Sequence, residues 1–179
     1  MKLADIDITG YNTLLLDRDG TINVHIIGDY VRKWEDFEFI PGVLEAMSRF
    51  AKHFRYIFIV TNQRGISKGK YTEQDLIYIH EHMIYEIEKV GGRIDKIYYS
   101  IALSDTDFSR KPNIGMFLDI VHDYPDVSLR HTLMVGDGDV DMEFAKNCFI
   151  DGVQIDSLKK ENGEYYWFQN DCIQKIIRD

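Results

Sequence analysis

Asp17 and Asp19 close a solidly apolar run, "LLLDRDGTIN" at positions 14–23. Alternate side chains on an extended chain point the same way, so two like charges are brought to one place. A hard divalent cation makes such a pair tolerable. Mg²⁺ commonly sits on one or two carboxylates together with a substrate phosphate. A third carboxylate, Asp137, lies in "VGDGDVD" with Asp139 and Asp141 just behind it. No Cys or His stands close to these positions in sequence, which argues against zinc.

A metal-shielded carboxylate can attack phosphorus and form an acyl phosphate. A second carboxylate can protonate the leaving oxygen and then help deprotonate the water that frees phosphate. The acyl phosphate is labile to water, where a serine ester would persist. "VTNQ" at 60–63 supplies Thr61 and the Asn62 backbone to cradle phosphoryl oxygens, and "RKP" at 110–112 supplies Lys111 to neutralise their growing charge. Singly, each of these residues could be a turn, a cap or a solvated lysine. Placed after successive apolar runs, with cations nearby, they read as one site. Arg64, Lys68 and Lys70 form a local basic group, read either as a solvated loop or as guidance for a second anionic group of the substrate.

The elements that must carry these residues alternate. Short apolar runs at 12–17, 55–62, 96–101, 131–137 and 150–155 read as buried strands. Between them, 42–54 places Val43, Met47, Phe50, Ala51 and Phe54 on one helical face. A longer helix follows Thr72, which with Asp75 makes a capping box, and it ends at Gly91-Gly92. Asn113 is the expected cap of a helix over 113–124, and 141–148 reads as a short helix. Strand–helix alternation at this spacing predicts an α/β fold, a parallel sheet with helices on both faces. In open sheets of this kind, ligands bind beyond the carboxyl ends of the strands.

The 179 residues fit one domain, with a core over about 10–156 and a C-terminal extension at 157–179. That extension is expected to pack through Tyr165, Tyr166, Trp167 and Phe168 and to end in a helix. The net charge of −9 disfavours nucleic acid as a general partner. No apolar run approaches the ~20 residues that span a bilayer, and "MKLADIDITG" has no apolar signal core. The two cysteines, Cys148 and Cys172, form no metal-ligand spacing and read as free thiols. A monomer in a reducing cytoplasm is expected.

Four ordered motifs, "DRDGT", "VTNQ", "RKP" and "VGDGDVD", make the sequence resemble the haloacid dehalogenase (HAD) superfamily of phosphatases. Further stretches, "DFEFIPGVLEAM", "VTNQRGISKGKYT" and "RKPNIGM", resemble its branch of heptose 1,7-bisphosphate and histidinol-phosphate phosphatases. The resemblance implies a Rossmann-like HAD fold without a separate cap domain, the loops 24–38, 64–71 and 101–110 covering the site instead. It implies Asp17 as nucleophile and Asp19 as general acid/base. Mg²⁺ would be held by Asp17, Asp137 and the Asp19 carbonyl. Thr61 and Lys111 would hold the transferred phosphate, Arg110 would meet the substrate, and Asp141 would orient Lys111 or water. The implied substrate is a small phosphate ester, a sugar phosphate first, histidinol phosphate or a polynucleotide end after it.

The branch usually carries a structural zinc loop between the third strand and "RKP". Here that segment is "SIALSDTDFS", with Ser100 and Ser109 where cysteines would stand, so no structural zinc is expected. The rival from another class is a phosphoacceptor signalling domain. Its acceptor Asp follows the third strand, whereas Asp17 follows the first.

Overall fold

The computed structural model describes residues 1–168. Five parallel strands form the central sheet: β1 (Thr13–Leu16), β3 (Tyr56–Asn62), β4 (Lys96–Ser100), β5 (Thr132–Gly136) and β6 (Asp151–Gln154), in the order β4-β3-β1-β5-β6. Among the described residues the α-helices are α1 (Val43–His53), α2 (Glu73–Lys89), α3 (Gly115–Asp123) and α4 (Asp139–Asn147). The α/β architecture and all five sheet strands match the sequence reading.

The period-two rule sorts the core onto two faces. Leu14, Leu16, Ile57, Ile59, Leu133 and Val135 pack with Met47 and Phe50 of α1 and Ile79 and Met83 of α2. Leu15, Phe58, Val60 and Met134 pack oppositely, with Phe117 and Ile120 of α3 and Phe144 of α4. Every residue of β1 is buried, as the central strand of a sheet covered on both faces must be. The chain leaves β1 for β3 on one side and reaches β5 on the other. The strand order therefore reverses around β1, which sets the ligand crevice at its carboxyl end.

Thr72 caps α2 as expected. Its Oγ1 accepts from Asp75 N (3.1 Å), and Asp75 Oδ2 accepts from Thr72 N (2.8 Å). Asn113 does not cap α3, whose N-cap is Ile114. Its amide instead donates to the carbonyls of Asp105 (3.0 Å) and Asp107 (2.9 Å) and ties down the preceding loop.

A second, three-stranded sheet departs from the sequence reading. β2 (His25–Ile26) pairs with β7 (Ser157–Glu161), which pairs antiparallel with β8 (Glu164–Phe168). Asn162 (φ 51°) and Gly163 (φ 85°) make the tight turn, since both central residues of such a hairpin need positive φ. Packing by aromatic burial is the expected anchor of this extension, yet Tyr165, Tyr166, Trp167 and Phe168 remain 42–51% exposed. Strand pairing, the buried Leu158 and the contacts of Lys160 and Tyr165 with Glu38 hold it. The expected C-terminal helix and Cys172 lie outside the described residues. Cys148 is buried, and burial pushes its thiol up to about 12.

Candidate active site

Leu16 of β1 stands beside Ile59 and Val135 in register, so the residues past these three strands become neighbours. Asp17 follows β1, with its N–H donating to the Val135 carbonyl at 3.0 Å. Thr61 and Asn62 close β3, and Asp137 follows β5. Lys111 enters from the segment before α3. Its Nζ lies 2.9 Å from Asp17 Oδ1 and 2.6 Å from Asp141 Oδ1. Asp141, in the first turn of α4, also accepts from Gly138 N at 3.1 Å. Oxygens of Asp17, Asp137 and Asp141 all lie within 4.8 Å of one another.

Two glycines make this crowding possible. A Cβ on Gly20 (φ +92°) would lie 2.4 Å from Asp137 Oδ2, and one on Gly136 would lie 2.3 Å from the Asp141 carboxyl. No side chain fits at either place without moving a carboxylate.

The site carries more negative charge than its own cation offsets. Burial pushes Asp17 up to about 6, with Asp141 and Asp19 adding to the effect and Lys111 opposing it. Burial, then the Asp17 charge, pushes Asp137 up to about 6 as well. Lys111 responds in the opposite sense. Burial works against its charge, but Asp141 and Asp17 outweigh that and hold it firmly protonated. Two adjacent carboxylates that resist ionising, with oxygen donors only, fit a hard dication.

Asp19 is held apart from this cluster. Its Oδ1 accepts from Arg18 Nη2 (2.7 Å) and Asn23 Nδ2 (3.0 Å), and its Oδ2 from Arg18 Nη2 (2.9 Å) and Gln63 Nε2 (2.9 Å). Burial pushes its carboxyl up, but the Arg18 charge and these donors outweigh burial and hold it below the ordinary value. Gln63 also donates to Thr61 Oγ1 at 2.9 Å and accepts from the Tyr71 hydroxyl. So engaged, the Asp19 carboxylate is not among the clustered oxygens of Asp17, Asp137 and Asp141.

The sequence-predicted residues Asp17, Asp19, Thr61, Asn62, Arg64, Arg110, Lys111 and Asp137 all line one cleft of about 600 Å³. Asp105 bridges two of its cations, at 2.5 Å from Arg64 Nη2 and 3.0 Å from Arg110 Nε. Among the described residues, Arg110 Nη1 is buried without a partner. The loops 24–38 and 64–71 line the cleft, while 101–110 contributes Arg110 to the lining. Where a zinc loop would be built, Ser100 Oγ lies 2.7 Å from Ser109 Oγ, and Ser109 donates to Asp107 Oδ1 from both N (2.9 Å) and Oγ (2.7 Å).

Three contributions escape the sequence reading. Lys159 of β7 reaches the cleft, and the Asn162-Gly163 dipeptide is the hairpin signal that could have placed it. The Asn62 side chain fixes the Lys111 backbone through two hydrogen bonds, at 3.0 Å each. His80 of α2 meets Arg18 Nη1 at 3.2 Å, and nothing local in the sequence signals that.

A doubly covered parallel sheet with this constellation past β1, β3 and β5 defines a HAD-type phosphatase. A family model described as polynucleotide kinase 3 phosphatase matches residues 12–154, and the chain belongs to that phosphatase family of the HAD superfamily. Its relatives include D-glycero-alpha-D-manno-heptose-1,7-bisphosphate 7-phosphatase of Campylobacter jejuni, 35% identical over 153 residues that cover 86% of this chain and 87% of the relative. The D-glycero-beta-D-manno-heptose-1,7-bisphosphate 7-phosphatase of Escherichia coli is 39% identical over 140 residues, covering 74% and 72%. Among solved structures, D,D-heptose 1,7-bisphosphate phosphatase from B. bronchiseptica, complexed with magnesium and phosphate, superposes with a TM-score of 0.75. It is 29% identical, with 80% of each chain covered.

Proposed function

We propose that this phosphatase is a Mg²⁺-dependent phosphomonoesterase acting on a small sugar phosphate, heptose 1,7-bisphosphate first, as a cytoplasmic monomer of one domain. The observation that carries the reading is Lys111 Nζ bridging Asp17 and Asp141 at the floor of the cleft. A contact between this carboxylate and this ammonium supports reading Asp17 as nucleophile and Lys111 as the cation that stabilises the transition state. The names of the relatives supply the substrate.

Asp17, Asp137 and the Asp19 carbonyl would hold Mg²⁺, which screens the carboxylates and withdraws charge from the phosphoryl group. An Asp17 oxygen attacks phosphorus as the bond from phosphorus to the leaving oxygen breaks. Lys111 and Thr61 stabilise the equatorial oxygens. Asp19 hands a proton to the leaving oxygen. A bound phosphate dianion favours the protonated form of Asp19 by like-charge repulsion, against the pull of Arg18. In the second half, Asp19 takes a proton from water, the water oxygen bonds to phosphorus, and the acyl phosphate opens to Asp17 and orthophosphate. Arg110 and Arg64 meet the remainder of the substrate.

A hydrolysis screen tests the reading, across heptose 1,7-bisphosphate of both anomers, histidinol phosphate, nucleotides and 3′-phosphorylated DNA. Preference for the heptose ester by at least tenfold in kcat/KM is expected. Preference for DNA ends would replace the substrate while keeping the chemistry. Phosphate label that stays on Asp17 without turnover would replace the enzyme with a phosphoacceptor domain.

A further inference from the structure

Arg18 is a cation inside the core. Alternation along β1 sends Leu14 and Leu16 to the face covered by α1 and α2, and Arg18 continues that parity. Its side chain is 1% exposed. Burying a guanidinium is costly unless its donors are taken. Nη2 is taken by the Asp19 carboxylate, while among the described residues Nε is buried without a partner. Nη1 points to His80 Nε2, and His80 is itself buried in the middle of α2.

Arginine has no acceptor, so Nη1 donates and Nε2 accepts, and the imidazole proton sits on Nδ1. Burial first, and the Arg18 charge second, push His80 down to about 3 and keep it neutral. The contacts form a line from α2 through Arg18 to Asp19. Asn23 and Gln63 hold the same carboxylate, one on each oxygen.

The geometry points to His80 as a positioning residue: it fixes the buried Arg18 guanidinium, and Arg18 fixes the Asp19 carboxylate that passes a proton to the leaving group. This rests on the proposed acid/base role of Asp19. A histidine that merely satisfies a core arginine would support the fold and leave proton transfer alone. The two roles differ in what they cost. A positioned acid matters most when the leaving oxygen is a poor one, such as a sugar alkoxide, and little when it is a nitrophenolate.

The experiment compares kcat/KM, which reports phosphoryl transfer to Asp17, on heptose 1,7-bisphosphate and p-nitrophenyl phosphate. His80→Ala is expected to lose about 10- to 100-fold on the sugar ester and less than about threefold on the nitrophenyl ester. His80→Gln, whose amide oxygen can accept from Nη1, is expected to recover most of that loss. If His80→Ala does not fold, His80→Asn, too short to reach Nη1, takes its place. Equal losses on both esters, no loss on either, or no recovery in His80→Gln overturns the inference. Asp19→Asn, run in parallel, separates two failures. A leaving-group split in Asp19→Asn but none in His80→Ala overturns the role of His80 alone. No split in either overturns the reading of Asp19, and the inference with it.

Discussion

Asn62 and Lys111 clasp one another through reciprocal hydrogen bonds, Nδ2 to the Lys111 carbonyl and Lys111 N to Oδ1, both at 3.0 Å. The end of β3 thereby sets the height at which the Lys111 ammonium meets Asp17. Asn62→Ala should lower kcat/KM by about 10- to 100-fold, since displacing a reacting group by an ångström costs on that order. Steady-state kinetics beside a thermal melt checks this. Wild-type activity in a folded variant would remove Asn62 from any positioning role.

Asp17→Asn should abolish phosphate release while the fold survives. The amide is isosteric, and it removes a charge that burial and Asp141 oppose. The melting temperature should therefore hold or rise. Phosphate release and calorimetry check the two halves separately. Beryllium fluoride should settle on Asp17 in the wild type and fail to do so in the variant.

Mg²⁺ should raise the melting temperature, and EDTA should silence the enzyme. A ligand at 100 times its Kd adds about 2.7 kcal/mol of stability. Asp137→Asn should erase the Mg²⁺-dependent shift, because it removes one carboxylate of the acidic group. Metal titration followed by differential scanning calorimetry reads this directly. Elemental analysis of purified protein should find no stoichiometric zinc.

His80 should make the protein acid-sensitive. Its folded pKa is pushed below the ordinary 6.5 to about 3. Between those values the unfolded chain binds a proton that the folded chain refuses, so stability rises with pH in this window. The contribution is intact above about 6.5 and is lost progressively as the pH falls toward 3. Urea melts of wild type and His80→Gln across pH 4–7 check it, and the variant should show the shallower slope.

Strand positions, the α2 cap and the membership of the cleft were legible in the sequence because each rests on local chemistry. Apolar runs mark buried strands, Thr72 with Asp75 marks a helix start, and polar residues after strands mark a crevice. The β7–β8 hairpin was legible in principle from Asn162-Gly163, but the aromatic run beside it reads as burial when it is a half-exposed strand. Asn113 has the side chain of a cap and spends it on two loop carbonyls. The Arg18–His80 contact joins residues 62 apart in the chain. Only the parity of β1 and the path of α2 bring them together, and neither residue's neighbours announce it.

The paired hydroxyls of Ser100 and Ser109 give the loop that holds Asp105 a fastening made of oxygen alone. Such a fastening neither oxidises nor exchanges ions with its surroundings. Held this way, the Ser100–Ser109 end of the loop closes on two hydroxyls and calls on neither a thiol nor a metal ion.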